Sequence, residues 1–209
     1  MNILIADDHA VVRRGLRDIL SEAIPGTGFV EARTGDEVIR QLAKSQIGLL
    51  VLDINMPGRS GLDILKDVKL SNPRLPVIIL SGYSEDQYAV RCLRAGAAAY
   101  INKDGAADEL ALAAKKILSG GRYITPGVAD SLLTNLDVGS AKPPHELLSD
   151  REFEVMRMIA SGLPLTSIGD QLHVSVKTIS TYRARIMEKM QMESNAELTR
   201  YALKHNLIE

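Results

Sequence analysis

The sequence predicts two domains of different class: a doubly wound α/β sheet of five βα units over residues 1–121, and a small all-α domain of four helices over residues 146–209. Three observations carry this. Up to residue 120, short apolar runs alternate five times with amphipathic stretches of helix length, the pattern of a parallel sheet covered on both faces. The stretch Asp137–His145 has no periodicity and is rich in turn formers, as a linker is. Beyond it the periodic segments have helical spacing and no strand pattern returns.

Taken in order, the strand-like runs are Ile3–Ala6, Gly28–Ala32, Leu49–Leu52, Pro76–Leu80 and Ala98–Ile101. Continuous Val/Ile/Leu runs of this length suit strands buried on both faces. The helical stretches are Ala10–Ser21, Asp36–Ala43, Gly61–Leu70, Asp86–Arg94 and Ala106–Leu118. Ser84 or Glu85 can open the fourth helix, and Ser119-Gly120-Gly121 places glycine just past the end of the fifth. Residues 122–145 are expected to link the domains, with room for a helix over 125–136 that has Pro126 in its first turn. In the second domain the helices are Leu148–Ala160, Thr166–Leu172, Ser175–Met190 and Asn195–His205. Ser149 with Glu152 three residues on forms a capping box, and Ser175 can cap the third helix. The second and third are spaced as a helix-turn-helix over about residues 165–184.

The bulk figures exclude several classes. With 45 % hydrophobic and 24 % charged residues the chain has an ordinary globular composition. No apolar run is long enough to span a membrane, and the start Met1-Asn2-Ile3-Leu4 has no basic segment of a secretory signal, so a cytoplasmic location is expected. Cys92 is the only cysteine, which excludes an intramolecular disulfide. A net charge of −1 excludes a uniformly basic protein. Positive charge is local instead: Ser175–Met190 carries Lys177, Arg183, Arg185 and Lys189 against Glu188 alone.

The strand ends carry the chemistry. Asp7 and Asp8 end the first strand, Asp53 the third, Ser81 the fourth, and Lys103 follows the fifth. In a sheet of order 2-1-3-4-5 these positions converge on the carboxyl rim, where open α/β sheets bind ligands. Each residue alone has a bland account: Asp7-Asp8 could cap the first helix, Ser81 could serve a turn, and Lys103 could be a solvated lysine. Together they form three crowded carboxylates, whose mutual repulsion a hard divalent cation such as Mg²⁺ relieves. Lys103 supplies a fixed positive charge and Ser81 a hydrogen bond. This set suits phosphoryl transfer with a carboxylate oxygen of Asp53 as nucleophile. A phosphohydrolase working through an aspartyl phosphate typically places a second Asp two positions on as general acid/base. Here that position is Asn55, so the phosphorylated form is expected to persist as a signal rather than turn over.

Residues 1–120 closely resemble the receiver domain of bacterial two-component response regulators, a flavodoxin-like fold. The resemblance rests on the acidic pair, the Asp53-x-x-Met56-Pro57-Gly58 run, Ser81, and Lys103 preceded by Tyr100. Asp104 stands where many receivers have proline after the lysine. The resemblance implies that Asp53 accepts phosphate from a sensor histidine kinase. It also implies that Asp8, Asp53 and the Asn55 backbone carbonyl hold Mg²⁺, with Asp7 acting through water. Ser81 and Tyr100 resemble the pair that moves inward on phosphorylation, and core packing is the plain alternative for Tyr100.

The segments Leu148–Val155 and Ser175–Met190 resemble the LuxR-type helix-turn-helix, and the whole chain is similar to NarL/FixJ-type response regulators. On the third helix Val176, Ile179, Ile186 and Met190 recur at helical spacing and are expected in the core. Lys177, Ser180, Thr181, Ala184 and Arg185 are then free to enter a DNA major groove. Lys177, Arg183 and Lys189 are better placed for phosphates, and Thr178 completes the candidate DNA-contacting set. In the last helix Leu198, Tyr201 and Ala202 form one stripe. Resemblance makes this a dimerisation surface, while the alternative is a helix that closes the four-helix core. The expected function is a transcriptional regulator that binds double-stranded DNA as a homodimer under phosphorylation control, and not an enzyme. Two rivals are a Mg²⁺-dependent phosphohydrolase, which Asn55 opposes, and a DNA binder whose first domain only dimerises. The histidines show no metal-ligand spacing and receive no role.

Overall fold

In a computed structural model the chain forms two compact units, Met1–Asp137 and Val138–Glu209. The structure describes all residues except 57–58, 83–84, 130–142, 206 and 209.

The first unit is a five-stranded sheet of order 2-1-3-4-5 with every pairing parallel. Its strands are β1 (Asn2–Ala6), β2 (Gly28–Ala32), β3 (Ile47–Asp53), β4 (Val77–Ser81) and β5 (Ala99–Asn102). Its helices are α1 (Ala10–Ala23), α2 (Gly35–Lys44), α3 (Gly61–Ser71), α4 (Glu85–Arg94) and α5 (Ala106–Leu118), the last entered through a 3₁₀ turn over Lys103–Gly105. Alternation along the strands builds two cores. Ile3, Ile5, Leu49, Val51, Ile78 and Leu80 pack with Leu16 and Leu20 of α1 and Leu110, Ala113 and Ile117 of α5. The intervening Leu4, Leu50, Leu52 and Ile79 point the other way and are also fully buried. Burial of each such side chain contributes about 1.5–3 kcal/mol, so both helical layers are anchored by the sheet rather than by helix propensity.

The α2 and α3 helices open on side-chain caps: Thr34 accepts from Glu37 N–H, and Ser60 from Leu62 N–H. Ser84, one candidate cap of α4, lies outside the described residues. Residues 123–128, expected in the linker, belong to the body of this unit. Tyr123 N–H donates to the Ala98 carbonyl at 3.2 Å, and Thr125 and Val128 are buried. A helix does begin at residue 126, capped by the Thr125 hydroxyl, and its course past residue 129 lies outside the described residues.

The second unit has α6 (Asp150–Ala160), α7 (Leu165–Gln171), α8 (Val176–Met190) and α9 (Asn195–Lys204), preceded by a 3₁₀ turn over Pro144–Leu147. Its core is Phe153, Val155, Met156, Ile159, Ile168, Ile179, Ile186, Met190, Leu198, Ala202 and Leu207. The Ser149–Glu152 capping box is formed. Ser175 caps α8 through Thr178 N–H, and α8 closes with Gln191 in the left-handed region at φ 55°.

Two expectations are corrected here. Val176 is not in the core but 42 % exposed, because it occupies the first position of α8, and Met187 is buried on that helix instead. Leu198 and Ala202 are completely buried in the unit's own core, so they are not a dimerisation surface. The α9 helix needs its apolar stripe to close the bundle against α6, an anchoring that the Thr199 hydroxyl reinforces by donating to the Ala160 carbonyl at 3.1 Å.

The capping carboxylate has a second task. Glu152 accepts from Ser149 N–H at 2.8 Å and from Lys189 Nζ at 2.6 Å, joining the start of α6 to the end of α8. Burial raises its pKa, but the bonds from Lys189 and Ser149 outweigh burial and hold it below the usual carboxylate value. A carboxylate depressed in this way stabilises the fold above its ordinary pKa and loses that contribution as pH falls through the folded value. Lys189 is 39 % exposed, so solvent screening limits the gain. Wild type is expected to exceed Glu152→Gln by about 1 kcal/mol at neutral pH, with the difference closing below about pH 4. Thermal melts across that range check this, and a gap that persists at low pH contradicts it.

Candidate functional site

Parallel pairing brings the strand ends together: Ala6 is paired with Leu52, Asp53 with Leu80, and Ser81 with Asn102. Asp7, Asp53 and Ser81 therefore meet on one rim, and all three are buried. Lys103 reaches back from the 3₁₀ turn, with Nζ 2.8 Å from Asp7 Oδ2 and 2.8 Å from Asp53 Oδ2. The remaining oxygens of both carboxylates face backbone. Asp53 Oδ1 accepts from Asn55 N–H at 3.0 Å, and Asp7 Oδ1 from His9 N–H at 2.8 Å. Asp7 thus does not cap α1, whose N-cap is His9 without a side-chain bond.

Burial is the largest influence on Asp53 and raises its pKa, aided by the nearby Asp7 charge and opposed by Lys103 and the Asn55 N–H. Burial alone would lower Lys103, but attraction to Asp53 and Asp7 wins and holds the ammonium above its usual value. The result is a charged Lys103 gripping a carboxylate that the fold holds under electrostatic stress.

Asp8 differs from its neighbours. It is partly exposed, and its Oδ1 is buried without a hydrogen bond among the described residues, although His9 Nδ1 approaches it to 2.8 Å. Ligand atoms of Asp7, Asp8 and His9 all lie within 4.8 Å of one another. The paired carboxylates of Asp7 and Asp8 are oxygen donors of the kind that fits a hard divalent cation, and Asp53 is not part of this three-residue group. His9, given no role from sequence, stands at this site, but its ring is 69 % exposed.

One supporting residue carried no sequence signal. Arg13 is only 3 % exposed and donates from one guanidinium nitrogen to the Asp7 carbonyl at 2.9 Å and the Asp8 carbonyl at 3.2 Å, while Nε pairs with Glu31 Oε2 at 2.7 Å. It fixes the backbone of the acidic pair. A position four residues after His9 on an amphipathic helix reads as surface charge until the loop folds over it. Tyr100, on β5, is 2 % exposed and lies within the core of the unit, on the face away from Ala99 and Ile101. Asn55 is exposed at the mouth of the site.

Gly61 supports the loop after Asp53. A Cβ at this position would stand 2.5 Å from Ile54 Cα and 2.6 Å from the Asp53 carbonyl oxygen. Those atoms are backbone and cannot yield without moving residues 53–55. Gly61→Ala is therefore expected to lower stability by about 1–3 kcal/mol. Unfolding midpoints check it, and an unchanged midpoint counts against the loop's role.

The second unit presents a different surface. Lys177, Ser180, Thr181, Ala184 and Arg185 are all exposed on α8. Ser180 and Thr181 hydroxyls fold back onto the carbonyls of Val176 and Lys177 at 3.0 Å, so these side chains lie low on the helix. Arg183 Nε is engaged by Asn195 Oδ1 at 2.9 Å, Thr178 Oγ1 lies 2.8 Å from Ser175 Oγ, and Lys189 is bound to Glu152. Lys177 and Arg185 are left as the reaching cations.

Comparison with known proteins agrees with both geometries. Residues 3–115 match the family described as response regulator receiver domain, and residues 146–202 match bacterial regulatory proteins of the luxR family. The chain is a NarL/FixJ-family response regulator. Response regulator UvrY of Escherichia coli strain K12 is 33 % identical over 209 residues, covering 99 % of this chain and 95 % of the relative. Oxygen regulatory protein NreC of Staphylococcus carnosus is 36 % identical and covers both chains fully. Among solved structures, the RcsB response regulator of Salmonella typhimurium aligns with a TM-score of 0.62 at 29 % identity over 96 % of this chain and 98 % of its own. A structure of RcsB in complex with DNA aligns with a TM-score of 0.60 at 29 % identity over 96 % of each chain. This response regulator is accordingly a DNA-binding transcriptional regulator of a two-component system. No helix among its described residues is long and apolar enough to cross a membrane.

Proposed function

We propose that Asp53 accepts a phosphoryl group from a sensor histidine kinase, and that this controls DNA binding through α8. The observation that supports the reading most is the Asp53 carboxylate, almost fully buried and held by Lys103, which also binds Asp7. Asp53 attacks with a carboxylate oxygen, Lys103 neutralises charge on the transferred group, and Ser81 donates to a phosphate oxygen. Asp8, Asp53 and the Asn55 carbonyl would hold Mg²⁺, with Asp7 acting through water. A bound Mg²⁺ supplies charge neutralisation on the phosphoryl oxygens. Asn55 provides no general base for hydrolysis, so the chain acts as a switch and not as a turnover enzyme. Inward movement of Ser81 and Tyr100 would report the phosphate to the surface of the receiver.

On the DNA side, Lys177, Thr181, Ala184 and Arg185 approach the major groove, with Ser180 and Thr178 at its margin and Arg183 on phosphate. Lys189 contributes field rather than contact, since Glu152 already holds it. A homodimer on DNA would pair through the exposed Ala196, Arg200 and Leu203 of α9, not through the buried Leu198 and Ala202. Tyr201 is half-buried and its hydroxyl lies 2.8 Å from His145 Nδ1, which fits a role inside the unit. The setting would be the cytoplasm, where kinase and DNA are both accessible.

The test is fluorescence anisotropy on a selected DNA fragment at fixed salt, with Mg²⁺, with and without a small phosphodonor. Wild type should gain affinity on treatment, and Asp53→Asn should not. An equal gain by the variant contradicts the assignment of Asp53.

A further inference from the structure

At the opposite end of the receiver sheet from Asp53, a cleft of 430 Å³ opens where β3, β4 and β5 begin and where α3, α4 and α5 end. Its charged lining is Lys69, Arg74 and Arg122, and no carboxylate lines it among the described residues. Neither does any described carboxylate pair with these three cations. Among the described residues Lys69 Nζ donates only to the Leu75 carbonyl, at 2.6 Å, which positions the ammonium. Gly96, at φ 102°, lies against the Lys69 stem, where a Cβ would stand 3.2–3.4 Å from its methylenes. The rest of the wall is apolar or glycine, including Ile117 and Gly121.

A plainer account is that these cations offset the dipoles of the three helix ends. It is incomplete. One carbonyl near each helix end is already bonded by a following N–H group: Asn72 to Val68 at 2.7 Å, Ala97 to Cys92 at 3.0 Å, and Gly121 to Lys116 at 3.0 Å. Cations serving a negative helix end would gain stabilisation of their charged forms. Lys69 shows the reverse, lowered first by burial and then by the neighbouring Arg122 charge. Three like charges are thus gathered without a partner around a cavity of ligand size.

We propose that this cleft binds a small phosphate monoester, whose phosphate is held by Lys69, Arg74 and Arg122 and whose organic part lies on the apolar wall. Two arginine forks match phosphate oxygens, and a dianion balances most of the gathered charge. This assignment does not depend on the role given to Asp53.

The experiment is titration calorimetry of the full chain with AMP and with inorganic phosphate, at ionic strength fixed with potassium chloride. AMP should bind one to one with a dissociation constant near or below ~1 mM, and more tightly than inorganic phosphate. Lys69→Gln, Arg74→Gln and Arg122→Gln should each weaken AMP binding roughly tenfold. Arg33→Gln, on the exposed turn before α2, should leave it unchanged. Arg74 is exposed, so its variant reports on binding even if the Lys69 variant folds poorly. Absence of AMP binding, equal affinity for AMP and inorganic phosphate, or binding that the three variants leave intact overturns the proposal.

Discussion

Lys103→Ala is expected to cost the receiver unit about 3 kcal/mol in metal-free buffer, roughly 10 °C in its melting midpoint. The ammonium lies 2.8 Å from oxygens of Asp7 and Asp53, carboxylates whose side chains are 0 % and 1 % exposed. Removing it leaves two buried charges facing one another, which is the costly way to break an ion pair. Two linked results separate this from ordinary loss of packing. Added Mg²⁺ should restore part of the stability, because a cation can replace the missing charge. Adding Asp53→Asn to the Lys103→Ala background should also restore part of it. The single Asp53→Asn variant should be more stable than wild type at neutral pH. Burial raises the Asp53 pKa, so its contribution is complete below the ordinary carboxylate value and is lost as pH rises through the folded value. The chain has no tryptophan, so denaturation followed by circular dichroism is the suitable measurement. If Asp53→Asn further destabilises the Lys103→Ala protein, the electrostatic account is wrong.

Phe153→Ala is expected to cost the second unit about 3–5 kcal/mol. A domain of this size has only about 4–10 kcal/mol to lose. Phe153 is 1 % exposed and is the largest fully buried side chain of that unit, with the His145 ring 6.1 Å from its own. Its loss should leave the helices partly unfolded at physiological temperature and abolish DNA binding, while the proposed phosphate uptake at Asp53 continues. Phe153→Leu keeps most of the volume and should retain binding. Equal DNA affinity in wild type and Phe153→Ala would show that the bundle does not depend on this contact.

That uptake and DNA binding can be expected to fail separately follows from the modular plan, which is legible along the chain. Strand runs such as Leu49–Leu52 cannot be anything but interior, and their alternation with amphipathic stretches allows one economical sheet. The carboxyl-end positions of Asp53, Ser81 and Lys103 follow from strand order alone. Caps at Ser149 and Ser175 were legible because capping is a local bond between residues three apart. Resolution failed where one position could serve two surfaces. Helical periodicity marks Leu198 and Ala202 as an apolar stripe but does not say whether the stripe meets its own bundle or another chain. The end of a helix blurs periodicity, so Val176 keeps the apolar spacing of α8 yet is exposed. Lys189 reads as a DNA cation, and its pairing with Glu152, far away in sequence, has no local signal.

The sequence by itself determined the two-domain plan, the strand order, the acidic rim with its lysine, and the basic face of α8. These depend on local pattern, with the strand order following from the resemblance to receiver domains. Only the tertiary structure decided that Arg13 pins the backbone of Asp7 and Asp8, that α9 spends its apolar stripe on its own core, and that Lys69, Arg74 and Arg122 share a cleft. Each of those facts joins residues whose separation in the chain carries no spacing rule. Burial and charge at such places are set by what the fold brings near, which no single segment encodes.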